Sequence, residues 1–76
     1  DVVMEAFVHV SPGACVSGNV YLGRGCWIGA GAVVNQGEND RRLHIGSATM
    51  IGSGAVVTGD CEADAVYAGV PARRLK

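Results

Sequence analysis

The sequence predicts an all-β chain of short strands and tight corners that repeats every six residues. Three observations predict it: a six-residue spacing of aliphatic side chains, a high glycine content, and a phase that survives an insertion. Met4, Val10, Val16, Leu22, Ile28 and Val34 are spaced by six, and the series resumes at Ile45, Ile51 and Val57. Four places after these residues the side chain is mostly small: Val8, Ala14, Val20, Cys26 and Ala32, then Thr49, Ala55 and Cys61. The residue directly after is often glycine, as at Gly23, Gly29, Gly46 and Gly52. Fixed-period self-similarity of this kind marks a repeat architecture.

Glycine makes up 12 of 76 residues, more than twice the usual share. That density argues against helix, where each glycine costs roughly 1 kcal/mol relative to alanine, and six is no multiple of the helical period. Strands of about four residues separated by corners fit instead, with glycine supplying left-handed backbone at no steric cost. The step from Val34 to Ile45 is eleven, or six plus five. Removing Glu38-Asn39-Asp40-Arg41-Arg42 restores the frame and leaves Leu43 in the small-residue slot, its least regular occupant. All five removed residues are strongly polar, as suits a loop thrown out of a packed coil.

The formal charge of -1 provides no electrostatic footprint for nucleic acid and no polybasic membrane patch. No apolar run is long enough to span a bilayer, and no basic stretch followed by an apolar one reads as a signal peptide. Three cysteines without paired spacing argue against a disulfide framework and fit a reducing compartment, so a cytoplasmic location is expected.

The segments HVSPGACVSGNV, GRGCWIGAGAVVNQG, IGSGAVVTGD and YAGVPARRLK resemble the hexapeptide-repeat sugar O- and N-acetyltransferases, the branch that includes the sialic acid O-acetyltransferase and the bacillosamine-pathway N-acetyltransferase. FVHVSP near the start and GVPAR near the end narrow the generic repeat to this branch, and the resemblance covers nearly the whole chain. It implies a left-handed parallel β-helix in which three hexapeptides form one triangular coil. With the loop removed, residues eighteen apart stack: Met4 on Leu22 and Ile45, Val10 on Ile28 and Ile51, Val16 on Val34 and Val57. About three coils are expected over residues 1–63, with the loop at 38–42. Residues 64–76 drop the period, contain Pro71 and read as a capping tail.

The resemblance also implies chemistry. Acetyl passes directly from the acetyl-CoA thioester to a sugar amine or hydroxyl, and a histidine base takes the proton from the nucleophile. In the family this base is followed by an acidic residue, with a second histidine eight residues beyond. Laid on this sequence, Asp1 is the acid that orients the base and His9 is the second histidine. The base falls just before Asp1, which implies a truncated protein or a segment of a longer enzyme. His9 would meet the thioester region, where a donor to the carbonyl oxygen stabilises developing charge. The coenzyme arm would follow backbone groups two places after a column residue, at Ala30 and Ser53. Arg73, with Arg74 and Lys76, would meet its phosphates. Trp27 stacks by register near His9 and Met50, where a subunit seam would take a large apolar side chain. The sites are expected at the seams of a homotrimer, with a small-molecule sugar acceptor and without nucleic acid or membrane.

Plainer readings stand beside these: a solvated chain end for Asp1, an exposed corner histidine for His9, ordinary repeat residues for Ala30 and Ser53, and a solvated basic end for Arg73. The GAG and GSG triplets lack the spacing of phosphate loops. One alternative is a non-catalytic trimeric scaffold or coenzyme-binding module. Another is a zinc hydratase such as the γ-type carbonic anhydrases, which use three histidines. His9 and His44 lie thirty residues apart once the loop is removed, so they fall on different faces; no third histidine exists, and no metal is expected. Cys15, Cys26 and Cys61 lack ligand spacing, and Cys26 and Cys61 read as core.

Overall fold

The computed structural model describes residues 2–38 and 40–76. Its strands are β1 (Val2–Met4), β2 (His9–Val10), β3 (Cys15–Val16), β4 (Val20–Leu22), β5 (Trp27–Ile28), β6 (Val33–Val34), β7 (Leu43–Ile45), β8 (Met50–Ile51), β9 (Val56–Val57), β10 (Val66–Ala68) and β11 (Arg73–Arg74). They form three sheets, ordered β1-β4-β7, β11-β10-β8-β5-β2 and β3-β6-β9. Successive strands pass from sheet to sheet, so each strand pairs in parallel with the one a full turn later. The register is the expected one. Met4 pairs with Leu22 and Leu22 with Ile45. Val10, Ile28 and Ile51 align in the second column, and Val16, Val34 and Val57 in the third.

Leu22, Ile28, Val34, Ile45, Ile51 and Val57 are buried at the centre of the coil, each contributing roughly 1.5–3 kcal/mol. The small-residue slots fill the remaining space with Cys26, Ala32, Ala55 and Thr49. Thr49 is tolerated there because its hydroxyl donates to the Glu62 carbonyl at 2.6 Å. Met4 is 59% exposed and Val10 39% exposed, because the first described coil is covered on one side only.

Corners take left-handed backbone. At the corner between the first and second sheets the stacked residues are Phe7, Gly25, Ala48 and Asp64, with φ of 63°, 73°, 58° and 57°. The polar loop leaves the coil between Gly37 and Leu43, whose amides still donate to Gly18 and Asn19 of the preceding turn. Asn19 and Arg41 tie the loop down, the first through its side-chain amide to the Glu38 carbonyl and the second by an ion pair with Asp60.

The strand pairing runs past the boundary expected at residue 63. Cys61 bridges to Ile45, and Tyr67 pairs in parallel with Ile51. Both steps are sixteen residues (61 − 45 and 67 − 51) rather than eighteen. The last coil is therefore two residues short, and the shortening falls at Thr58–Asp60. Cys61 occupies a column position and not the small-residue slot its spacing suggested; Ala65, buried, takes that slot. Only after Ala68 does the chain leave the coil, folding β11 back antiparallel onto β10 so that Tyr67 meets Arg74 and Ala68 meets Arg73.

Candidate functional site

His9 lies on β2, the edge strand of the five-stranded sheet. Val10 belongs to the inner column, so the alternation of side chains along a strand points His9 outward. Parallel pairing sets it beside Trp27, which is followed in the same rung by Met50 and Val66. The His9 and Trp27 rings stack, with centroids 4.1 Å apart and planes 25° from parallel. Trp27 and Met50 remain about half exposed, so the outer side of this sheet is an apolar strip that ends in an imidazole.

Ala30 and Ser53 occupy successive turns of the corner that follows β5 and β8, and both are exposed. The turns are stacked, since the Gly54 amide donates to the Ala30 carbonyl at 2.9 Å. Among the described residues, no backbone acceptor takes up the N–H of Ala30 or of Ser53. Gly29, just before this corner, is packed tightly: a Cβ there would lie 2.7 Å from the Ile51 carbonyl oxygen and the Ser53 nitrogen. The structure thus brings His9, Ala30 and Ser53 to one sheet and its adjoining corner.

Arg73 sits on β11 at the opposite edge of the same sheet, four strand spacings from β2, or roughly 19 Å. It is exposed, whereas Arg74 is held by Glu62 at 2.8 Å and donates to the Lys76 carbonyl at 3.0 Å. Arg73 and Arg74 line a cavity of about 240 Å³ with Thr58, Asp60, Tyr67 and neighbouring residues. The expectation for Asp1 lies outside the described residues.

His44 lies on β7, in the sheet β1-β4-β7, and so does not approach His9. Among the described residues no three His, Cys, Asp or Glu side chains gather to hold a metal ion. The face carrying His44 holds a cluster the sequence reading did not single out. The Tyr21 ring lies 4.9 Å from that of His44, and its hydroxyl donates to Glu5 at 3.0 Å. That hydrogen bond to a carboxylate raises the Tyr21 pKa. Asp60 accepts the His44 backbone N–H at 2.9 Å. This bond and the Arg41 guanidinium hold its carboxyl below the usual range, against a smaller opposing effect of burial. The signal was available, since Tyr21 and His44 are one coil plus the loop apart.

No protein-family profile matches the chain. Solved structures match it closely. WeeI from Acinetobacter baumannii AYE is 41% identical, with a TM-score of 0.96 over 99% of this chain and 35% of its own. The acetyltransferase domain of PglB from Neisseria gonorrhoeae, in complex with acetyl coenzyme A, is 39% identical with a TM-score of 0.88, over 99% of this chain and 34% of its own. Perosamine N-acetyltransferase from Caulobacter crescentus, solved with CoA and GDP-perosamine, is 32% identical with a TM-score of 0.91, over 100% of this chain and 34% of its own. The chain spans about a third of these structures and 26% of the curated acetyltransferases it matches. By sequence and by fold, the chain is similar to a left-handed parallel β-helix segment of the hexapeptide-repeat sugar acetyltransferases.

Proposed function

We propose that this chain is the acetyl-CoA-binding segment of an enzyme that transfers acetyl to an amine or hydroxyl of a sugar or nucleotide-sugar. One observation carries the reading: an outward imidazole, His9, shares a sheet and its corner with the small, amide-bearing turns at Ala30 and Ser53. The family resemblance assigns that strip to the coenzyme, and relatives were solved with acetyl-CoA and CoA bound. In this reading a His9 ring N–H donates to the thioester carbonyl oxygen and stabilises the charge that grows there as the nucleophile attacks. The Ala30 and Ser53 amides hold the coenzyme arm, their small side chains permitting close approach. Arg73, at the far edge of the sheet, meets the phosphates. Asp1 orients a histidine base that takes the proton from the acceptor. The acceptor is a small sugar; the perosamine enzyme, solved with GDP-perosamine, supports that class.

The assembly proposed is a homotrimer with its sites at the seams, in a reducing cytoplasm. A thin core and a strip with Trp27 and Met50 half exposed support an apolar contact between copies. Calorimetric titration of acetyl-CoA tests the binding reading. His9→Ala should raise Kd at least about tenfold, the loss of one hydrogen bond to a buried carbonyl. An unchanged Kd removes His9 from the site. Binding of acetyl-CoA without thiol release in the presence of amino-sugar acceptors would favour a coenzyme-binding module over an enzyme.

A further inference from the structure

We propose that Trp27 is a positioning residue for His9: its indole holds the imidazole by one face and leaves both ring nitrogens free for the ligand. The proposal rests on the reading of His9 above. Three features of the structure carry it. First, the contact is set by backbone register, since β2 pairs with β5 so that His9 and Trp27 are direct neighbours, with rings 4.1 Å apart and only 25° from parallel. In such a stack the nitrogens lie in the ring plane, away from the indole, and remain open to a partner.

Second, nothing else in the described chain fixes the ring. β2 pairs with β5, so Trp27 is the rung neighbour of His9 among the described residues. Among the described residues its imidazole makes no hydrogen bond or ion pair. His44 differs: its Nδ1 lies 3.3 Å from the Arg42 carbonyl, so one ring edge is already engaged. An exposed histidine without a partner samples several rotamers, and a ligand must order it at an entropic cost. Stacking on a large flat ring removes that cost in advance.

Third, Trp27 is itself anchored. It lies on β5, flanked by β2 and β8. Its amide donates to the Thr49 carbonyl at 2.9 Å, its neighbour Ile28 is fully buried, and Met50 follows it in the rung. The strand that carries the indole is therefore held on both sides, and the imidazole is set against the face that strand presents.

A mutant cycle read by acetyl-CoA calorimetry tests this, with circular dichroism confirming that each variant folds. Trp27→Leu keeps an apolar side chain but removes the aromatic face, and should raise Kd about three- to tenfold. Trp27→Phe keeps a stacking ring and should restore binding to near the wild-type value. In a His9→Ala background, Trp27→Leu should change nothing further, because the residue acts through His9. Trp27 is the one tryptophan in the sequence, so its emission reports on the stack. It should shift on adding acetyl-CoA to the wild type and stay constant in His9→Ala. An equal loss from Trp27→Leu with and without His9 overturns the proposal while sparing the His9 reading. A Phe variant as weak as the Leu variant also overturns it. If His9→Ala binds normally, the His9 reading and this proposal fall together.

Discussion

At the residue scale, environment separates side chains of the same type. Cys15 is exposed, whereas Cys26 and Cys61 are buried. Burial raises both buried thiols, and Cys61, which also lies near the Asp60 carboxylate, is pushed up to about 11. The thiolate is the reactive form, so iodoacetamide at pH 8 should modify Cys15 rapidly and leave the other two untouched in the folded protein. Intact-mass analysis should show a single adduct; rapid appearance of two or three would contradict the packing. The same shift has a stability consequence. An unfolded thiol titrates near about 8.5, below the folded Cys61. Its contribution is therefore fully present below about pH 8.5 and lost as pH rises through about 11.

At the element scale, coils this close together leave no room for a Cβ at certain turns. A side chain at Gly29 would meet backbone on three counts, with Ile51 O and Ser53 N at 2.7 Å and Gly52 C at 2.8 Å. Gly29→Ala should therefore cost roughly 1–3 kcal/mol, lowering the melting temperature by at least about 4 °C. Gly59 has open space around it and no left-handed backbone, so Gly59→Ala should be neutral or raise it slightly. Thermal unfolding followed by circular dichroism compares the two. The repeat made most of these elements legible: nine column positions and the loop at 38–42 follow from spacing alone. The shortened coil at Thr58–Asp60 did not, because Cys61 satisfies the spacing by one register and the packing by another. Only the pairing of Cys61 with Ile45 and of Tyr67 with Ile51 decides between them.

For the whole molecule, the core is a single column-filled tube, and its stability rests on coils covering one another. The half-exposed Trp27 and Met50 remain outside that tube. If they lie at a seam between copies, sedimentation at micromolar concentration should return three times the monomer mass. A monomeric mass would contradict the trimer. The stacking of Ala30 and Ser53, at the corner beside the sheet that carries His9, was legible from the eighteen-residue repeat. The face-to-face stacking of His9 on Trp27 was not, because spacing places residues side by side without orienting their rings. A crystal structure of the protein with acetyl-CoA decides where the coenzyme lies. The thioester carbonyl should sit within hydrogen-bonding distance of a His9 ring nitrogen, with the pantetheine arm along the Ala30 and Ser53 corner. Coenzyme bound instead on the β1-β4-β7 face, beside Tyr21 and His44, would contradict that placement.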